Sequence, residues 1–122
     1  MIREINDVER TWLDKILSAE FKGKDVLKEQ LSKTRVSVEE NVGFILVKFH
    51  LTERVQKYPF NVIAPVYMIA LQKNAVPIIF ALFIVNGYIY EMEIFNADSS
   101  EISVTSIDVT DIEYDINADV RF

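Results

Sequence analysis

The sequence predicts an α+β fold, in which two N-terminal helices pack on one face of an antiparallel sheet of about five strands. Over residues 1–33 the apolar side chains recur at the three- and four-residue spacing of amphipathic helices. From Thr34 onwards the period changes to two, which is typical of strands. A central β-hairpin at residues 76–95 closes on Asn86-Gly87, a pair that suits a two-residue type I′ turn.

The composition limits the class of protein. The chain has 122 residues, half of them hydrophobic, and no cysteine. We therefore expect one domain, residues 1–122, that is stabilised by packing and has neither disulfides nor thiolate metal sites. No segment is apolar enough for a membrane span or a signal peptide, which favours a cytoplasmic protein without a membrane partner.

The formal net charge of −6 is concentrated in the second half of the chain. Residues 1–57 carry eleven basic and ten acidic side chains, whereas residues 58–122 carry two basic and nine acidic ones. Nucleic acid binding requires a basic surface, so this distribution argues against it. It permits a basic protein partner, for which the candidate acidic surface residues are Asp108, Asp111, Glu113 and Asp115.

Two helices are predicted near the N-terminus. The first covers residues 2–21, with Trp12 and Ile16 on its apolar face. Gly23 favours a break in the chain, and a shorter helix is expected over residues 24–33.

The remaining segments read as strands joined by turns. The strand over residues 60–71 is expected to contain a bulge, because Pro65 cannot donate a hydrogen bond to a ladder. Residues 110–122 are predicted as mixed strand and loop. Outside the hairpin, the predicted strands are residues 35–39, 44–51, 60–71 and 102–109.

The two-residue turn fixes a register for the hairpin, so its two faces can be predicted. One face is wholly apolar and is expected to meet the first helix. It comprises Ile79, Ala81, Phe83, Val85, Tyr88, Tyr90, Met92 and Ile94. The second face places Glu91 opposite Leu82 and Glu93 opposite Phe80.

The second face is too apolar for a simple solvated surface, which indicates an interface or a groove. Either a second copy of the chain covers it, giving a homodimer, or the sheet curls to form a pocket. The sequence favours the homodimer.

Glu91 and Glu93 are the strongest candidates for a chemical role. They lie two residues apart on one strand, so both point towards the apolar wall of Phe80 and Leu82. A carboxylate pair in that setting can perform acid–base chemistry, bind a hard cation, or pair with a basic side chain across a dimer.

Lys48 and His50 share one side of their strand and are candidates to join the same cluster. His50 is the only histidine, which excludes a two-histidine metal site. Since no nucleophile elbow, P-loop or dinucleotide fingerprint is present, no catalytic residue, metal ligand set or cofactor is predicted.

Two patterns in the chain are moderately specific. The first, F-x-G-x-[DE]-x-L-x-x-Q-L, occupies residues 21–31. The second, G-x-[LI]-x-E-[LM]-E-I-[YF], occupies residues 87–95 and follows Val76-Pro77. Together they resemble a family of small uncharacterised bacterial proteins classed as a domain of unknown function. The resemblance covers most of residues 10–102, departs from the family at Asp98-Ser99, and implies no activity.

Two functions are therefore open. The first is a non-enzymatic interaction protein, of the immunity type, whose acidic surface binds a basic protein such as a toxic nuclease. The second is a small-molecule binding protein or enzyme with a pocket on the second face that uses the paired carboxylates. The scarcity of catalytic residue types favours the first.

Overall fold

The computed structural model of the chain describes residues 1–96, 98 and 100–122. The predicted loop at residues 96–101 therefore lies partly outside the described residues. Its helices are α1 (Asp7–Ile16) and α2 (Lys24–Ser32), and short 3-10 turns occur at Val104–Ser106 and Ala118–Val120. Its strands are β1 (Thr34–Asn41), β2 (Phe44–Leu51), β3 (Val66–Ala70), β4 (Ile78–Val85), β5 (Tyr88–Asn96) and β6 (Ile112–Ile116).

The six strands form one sheet in the order β1-β2-β5-β4-β3-β6, and every neighbouring pair is antiparallel. The predicted α+β class is confirmed, with one strand more than the expected five. Helix α1 contacts β3 and helix α2 contacts β5. The ring of Trp12 from α1 lies 5.7 Å from that of Phe80 on β4, which identifies the core side of the sheet.

Helix α1 is shorter than the predicted helix over residues 2–21. It begins after Asn6, which forms a capping box with Glu9: the Asn6 side chain accepts from the Glu9 amide, and the Glu9 carboxylate accepts from the Asn6 amide. Residues before the cap are extended, because Arg3 pairs through its backbone with Val36 of β1. The Arg3 guanidinium also donates to the buried Glu9 carboxylate at 2.6 and 2.8 Å.

Two predicted strands differ from the observed ones. The strand expected over residues 60–71 begins only at Val66, after Pro65. Residues 102–109 form no strand, because the side-chain amide of Gln72 donates to the Asp108 carbonyl and accepts from the Asp108 amide. These bonds hold the segment as a loop against the core, and the last strand forms instead at Ile112–Ile116.

The hairpin turn forms at Asn86-Gly87 as predicted, with φ of 54° and 85°. Ile84 pairs with Ile89, but the next pair is Phe83 with Glu91. Tyr90 has no partner on β4, so a β-bulge shifts the register by one residue.

The bulge exchanges the two predicted faces on β4, whereas Met92 and Ile94 of β5 lie in the core as predicted. Ile79, Ala81 and Phe83, which were expected to meet the first helix, lie on the opposite side of the sheet. Phe80 and Leu82 are 0% and 2% exposed and lie in the core, together with Met92. The predicted placement of Phe80 and Leu82 beside Glu91 and Glu93 is therefore wrong, because the extra residue Tyr90 sets Glu91 opposite Phe83 and Glu93 opposite Ala81.

Neither described helix is long and apolar enough to cross a membrane.

Candidate functional site

The side of the sheet opposite the helices is the candidate functional surface, and we call it the open face. Cross-strand pairing places Phe44, Phe95, Ile79 and Ile69 in one row across four strands. All four side chains are partly or fully exposed, in contrast to the buried residues that alternate with them along each strand. The other side chains of the open face include Arg35, Ser37, Glu39, Asn41, Leu46, Lys48, His50, Tyr67, Ala81, Phe83, Glu91, Glu93, Glu113 and Asp115. Arg35 forms a salt bridge with Glu4.

Glu91 and Glu93 both lie on the open face, near the centre of the sheet. Glu93 is flanked by Leu46 on β2 and Ala81 on β4, and Glu91 by Lys48 and Phe83. The apolar neighbours of the two carboxylates are thus different from those that the sequence predicts, although a carboxylate pair on an apolar surface is present.

The two carboxylates influence one another. Partial burial raises the pKa of Glu91, and the charge of Glu93 raises it further, whereas Lys48 opposes both effects. Among the described residues, neither Glu91 nor Glu93 forms a salt bridge. The charge on this part of the sheet is therefore only partly compensated within the chain.

We expect Glu91→Gln to raise the free energy of unfolding at pH 7 by about 0.5 kcal/mol, the scale of a charge pair on a sheet face. A carboxyl whose pKa is raised by folding destabilises the folded state above that pKa. The cost disappears as the pH falls through the folded pKa towards the unfolded value, so the variant and wild type should converge there. Urea unfolding at pH 7 and below pH 4 measures the difference.

The exposed Glu113 on the edge strand provides a matched control, and we expect Glu113→Gln to leave stability unchanged. If Glu91→Gln is less stable than wild type at pH 7, attraction to Lys48 outweighs the burial of the carboxylate.

Lys48 and His50 also lie on the open face. The Lys48 ammonium is 3.7 Å from the Glu39 carboxylate, and Lys48 is the cross-strand partner of Glu91. His50 is farther along β2, and its Nε2 is 2.8 Å from the hydroxyl oxygen of Ser37. The structure thus brings Lys48 to the carboxylate pair, whereas the contact that it shows for the His50 side chain is with Ser37 on β1.

The four predicted acidic surface residues, Asp108, Asp111, Glu113 and Asp115, are all exposed. Glu113 and Asp115 lie on the open face, at the edge strand β6. The Asp108 carboxylate accepts from the hydroxyl and amide of Thr110, which lowers the pKa of that carboxyl. No group of three or more metal-ligating side chains occurs in the described part of the chain.

A cavity of about 800 Å³ lies away from these carboxylates, between residues 57–63 and the hairpin turn. Tyr58 lines it, and the Tyr58 hydroxyl donates to the Lys22 carbonyl at 2.6 Å. Burial raises the pKa of Tyr58 to about 12. The hydroxyl therefore stays protonated and serves as a packing contact, which makes this groove a weak candidate for chemistry.

The two sequence patterns meet in the structure at Gln30. Its side-chain amide donates to the carbonyls of Gln56 and Gly87 and accepts from the Ile89 amide, all within 2.9 Å. Gly23, in the first pattern, has φ of 81°, and a Cβ there would lie 2.6 Å from the ring of Tyr58. Both patterns thus have a structural explanation. The first contains Gln30 of α2, the second contains Gly87 and Ile89 of the hairpin, and the Gln30 hydrogen bonds hold the two together.

The aromatic members of the open face, Phe44, Phe83 and Phe95, are functional candidates that the sequence prediction missed. One signal for them exists. Ile89 and Met92 both suit the core but are three residues apart, which indicates one extra residue between them. The predicted register already has Phe95 on the face of the carboxylates, and counting the extra residue would have placed Phe83 there as well.

No family model, curated protein or solved structure matches this chain.

Proposed function

We propose that the chain is a non-enzymatic interaction protein that binds a basic protein through the open face of its sheet. One observation carries the proposal: a sheet face that no described helix covers combines an apolar centre with carboxylates that form no salt bridge in the described part of the chain. Exposed contiguous apolar area of this kind is characteristic of interaction surfaces.

The apolar part of the face supplies the contact area. The row of Phe44, Phe95, Ile79 and Ile69 crosses four strands, with Leu46, Ala81 and Tyr67 in the adjacent row and Phe83 one row farther along β4. Aromatic side chains contribute much of the binding energy of protein interfaces when they are desolvated.

The charge on the face selects the occupant. Glu91, Glu93, Glu113 and Asp115 form no salt bridge in the described part of the chain, whereas Lys48 is paired with Glu39. A second copy packed face to face would bring more carboxylates towards these four. Like charges across an interface oppose binding, so a basic partner fits better than a homodimer.

The spacing of the carboxylates further describes the partner. Glu93, Ala81, Tyr67 and Asp115 occupy one cross-strand row on four successive strands. Three strand spacings separate Glu93 from Asp115, or about 14 Å. We therefore expect a partner whose basic side chains are separated by a similar distance, with apolar surface between them.

The predicted alternative is a pocket formed by the two carboxylates and an apolar wall. The residues predicted for that wall do not lie beside the carboxylates. Phe80 and Leu82 are core residues, and they are not accessible to a small molecule on the open face.

Affinity capture with matched charge reversals tests the proposal. Glu93→Lys/Asp115→Lys alters the open face, and Asp14→Lys/Glu29→Lys makes the same change in net charge on exposed helix positions. A lysate of the source organism is passed over each protein, captured species are identified by mass spectrometry, and binding is repeated with the purified candidate by calorimetry. We expect to capture a basic protein that binds wild type and the helix variant with similar affinity. The same protein should bind the open-face variant at least tenfold more weakly.

Two outcomes would contradict the proposal. One is a captured basic protein that binds both variants equally, because net charge alone would then explain the capture. The other is a wild-type homodimer in sedimentation that the open-face variant dissociates, because a second copy would then be the occupant.

A further inference from the structure

We infer that a shallow cavity on the open face binds an arginine side chain, which deepens and rests on the proposed function. The cavity has a volume of about 310 Å³ and is lined by Phe44, Glu93 and Phe95. We call it the aromatic cavity. It lies on the open face of the neighbouring strands β2 and β5, on the side of the sheet opposite the described helices.

The register explains how three distant residues form this cavity. Phe44 and Phe95 are direct cross-strand partners, so their side chains leave the sheet side by side on the open face, and both line the cavity. Glu93 precedes Phe95 by two residues on β5, which directs both side chains to the same side. The aromatic pair and the carboxylate are therefore held by backbone pairing and do not depend on a loop.

The chemistry of the lining selects a cation with an apolar stem. The faces of aromatic rings carry negative charge density and attract a cation. A carboxylate beside them adds a full negative charge and two acceptor oxygens. Arginine matches this set best, because its planar guanidinium can stack on a ring while two N–H groups donate to one carboxylate.

The chain provides no cation for this position itself. Among the described residues, Glu93 forms no salt bridge, and its cross-strand neighbours Leu46 and Ala81 are apolar. Lys48 is the cross-strand partner of Glu91 and contacts Glu39 instead. Since an uncompensated carboxylate between apolar neighbours does not stabilise the sheet, its placement is explained by an incoming cation.

Titration of the ¹⁵N-labelled full chain with small arginine analogues tests the inference directly. The probes are Nα-acetyl-arginine amide, the matching lysine amide, and the matching norleucine amide, which keeps the stem and lacks the charge. We expect the arginine probe to shift the backbone resonances of residues 44, 93 and 95, and to bind at least fivefold more tightly than the norleucine probe.

Variants identify the groups responsible. We expect Glu93→Gln and Phe95→Leu each to weaken arginine binding at least threefold, and Glu29→Gln, at an exposed position of helix α2 away from the open face, to leave it unchanged. Leucine at position 95 retains bulk, and the amide spectrum confirms that each variant is folded. Equal binding of arginine and norleucine, equal or tighter binding of lysine, or unchanged binding by Glu93→Gln would overturn the inference.

The two proposals fail in different ways in these experiments. If the arginine probe shifts no resonances but a basic protein is still captured, arginine binding in the aromatic cavity is contradicted and the interaction function stands. If the arginine probe binds but no basic protein is captured, the interaction function is contradicted instead.

Discussion

Phe80→Ala is expected to lower the free energy of unfolding by about 3–5 kcal/mol, the range for removing a buried phenylalanine. Phe80 is fully buried and packs on the ring of Trp12 across the main core, so the variant leaves a cavity between sheet and helix α1. Urea unfolding, followed by circular dichroism, measures the change.

Phe83→Ala provides the matched comparison on the same strand. Phe83 is partly exposed on the open face, and we expect its removal to cost about 1 kcal/mol or less. A register without the bulge predicts the opposite order, with Phe83 in the core and Phe80 on the outside. Similar costs for the two variants, or a larger cost for Phe83, would contradict the observed register.

Gln30→Leu is expected to lower the free energy of unfolding by about 2–4 kcal/mol, because it leaves buried backbone groups without partners. The Ile89 amide and the Gln56 carbonyl both lose the Gln30 side chain, whereas the Gly87 carbonyl keeps its bond from the Tyr58 amide. Leucine is of similar size, so the loss reflects hydrogen bonds more than volume.

Two further measurements isolate this effect. Gln56→Leu makes the same substitution at an exposed position and should be nearly neutral. Hydrogen exchange at the Ile89 amide should accelerate in Gln30→Leu more than exchange elsewhere in β5. Unchanged stability of Gln30→Leu would show that water replaces the amide and that α2 does not need it to hold the hairpin.

Local sequence signals predicted most of the elements. The Asn86-Gly87 turn and the bounds of β2 are correct because turn chemistry and alternation act within a few residues. Helix α1 is shorter than its apolar spacing predicts, because Arg3 pairs with Val36, thirty-three positions away, and this contact draws the first residues into the sheet. The spacing of apolar residues does not identify Val36 as the backbone partner of Arg3.

The candidate site was predicted only in part for the same reason. Glu91, Glu93 and Lys48 do lie together, since all three follow from alternation on neighbouring strands. Phe83 was assigned to the wrong face, because the register was extrapolated from the turn through Tyr90 without the extra residue. The three-residue spacing between Ile89 and Met92 indicates the extra residue. This spacing fixes the register only once both residues are known to be buried.

Tyr90 adds length to β5 without adding a cross-strand pair. Its side chain is 54% exposed and has no partner on β4, so many substitutions should be acceptable at this position. Deletion of Tyr90 should also be tolerated, because Ile84 with Ile89 and Phe83 with Glu91 are already the successive pairs of a regular hairpin. Met92 and Ile94 would stay in the core, and Glu91 and Glu93 would stay on the open face. A deletion between Glu91 and Ile94 would instead exchange the faces of the residues beyond it, so the strand has one position at which its length can change without cost to its pattern.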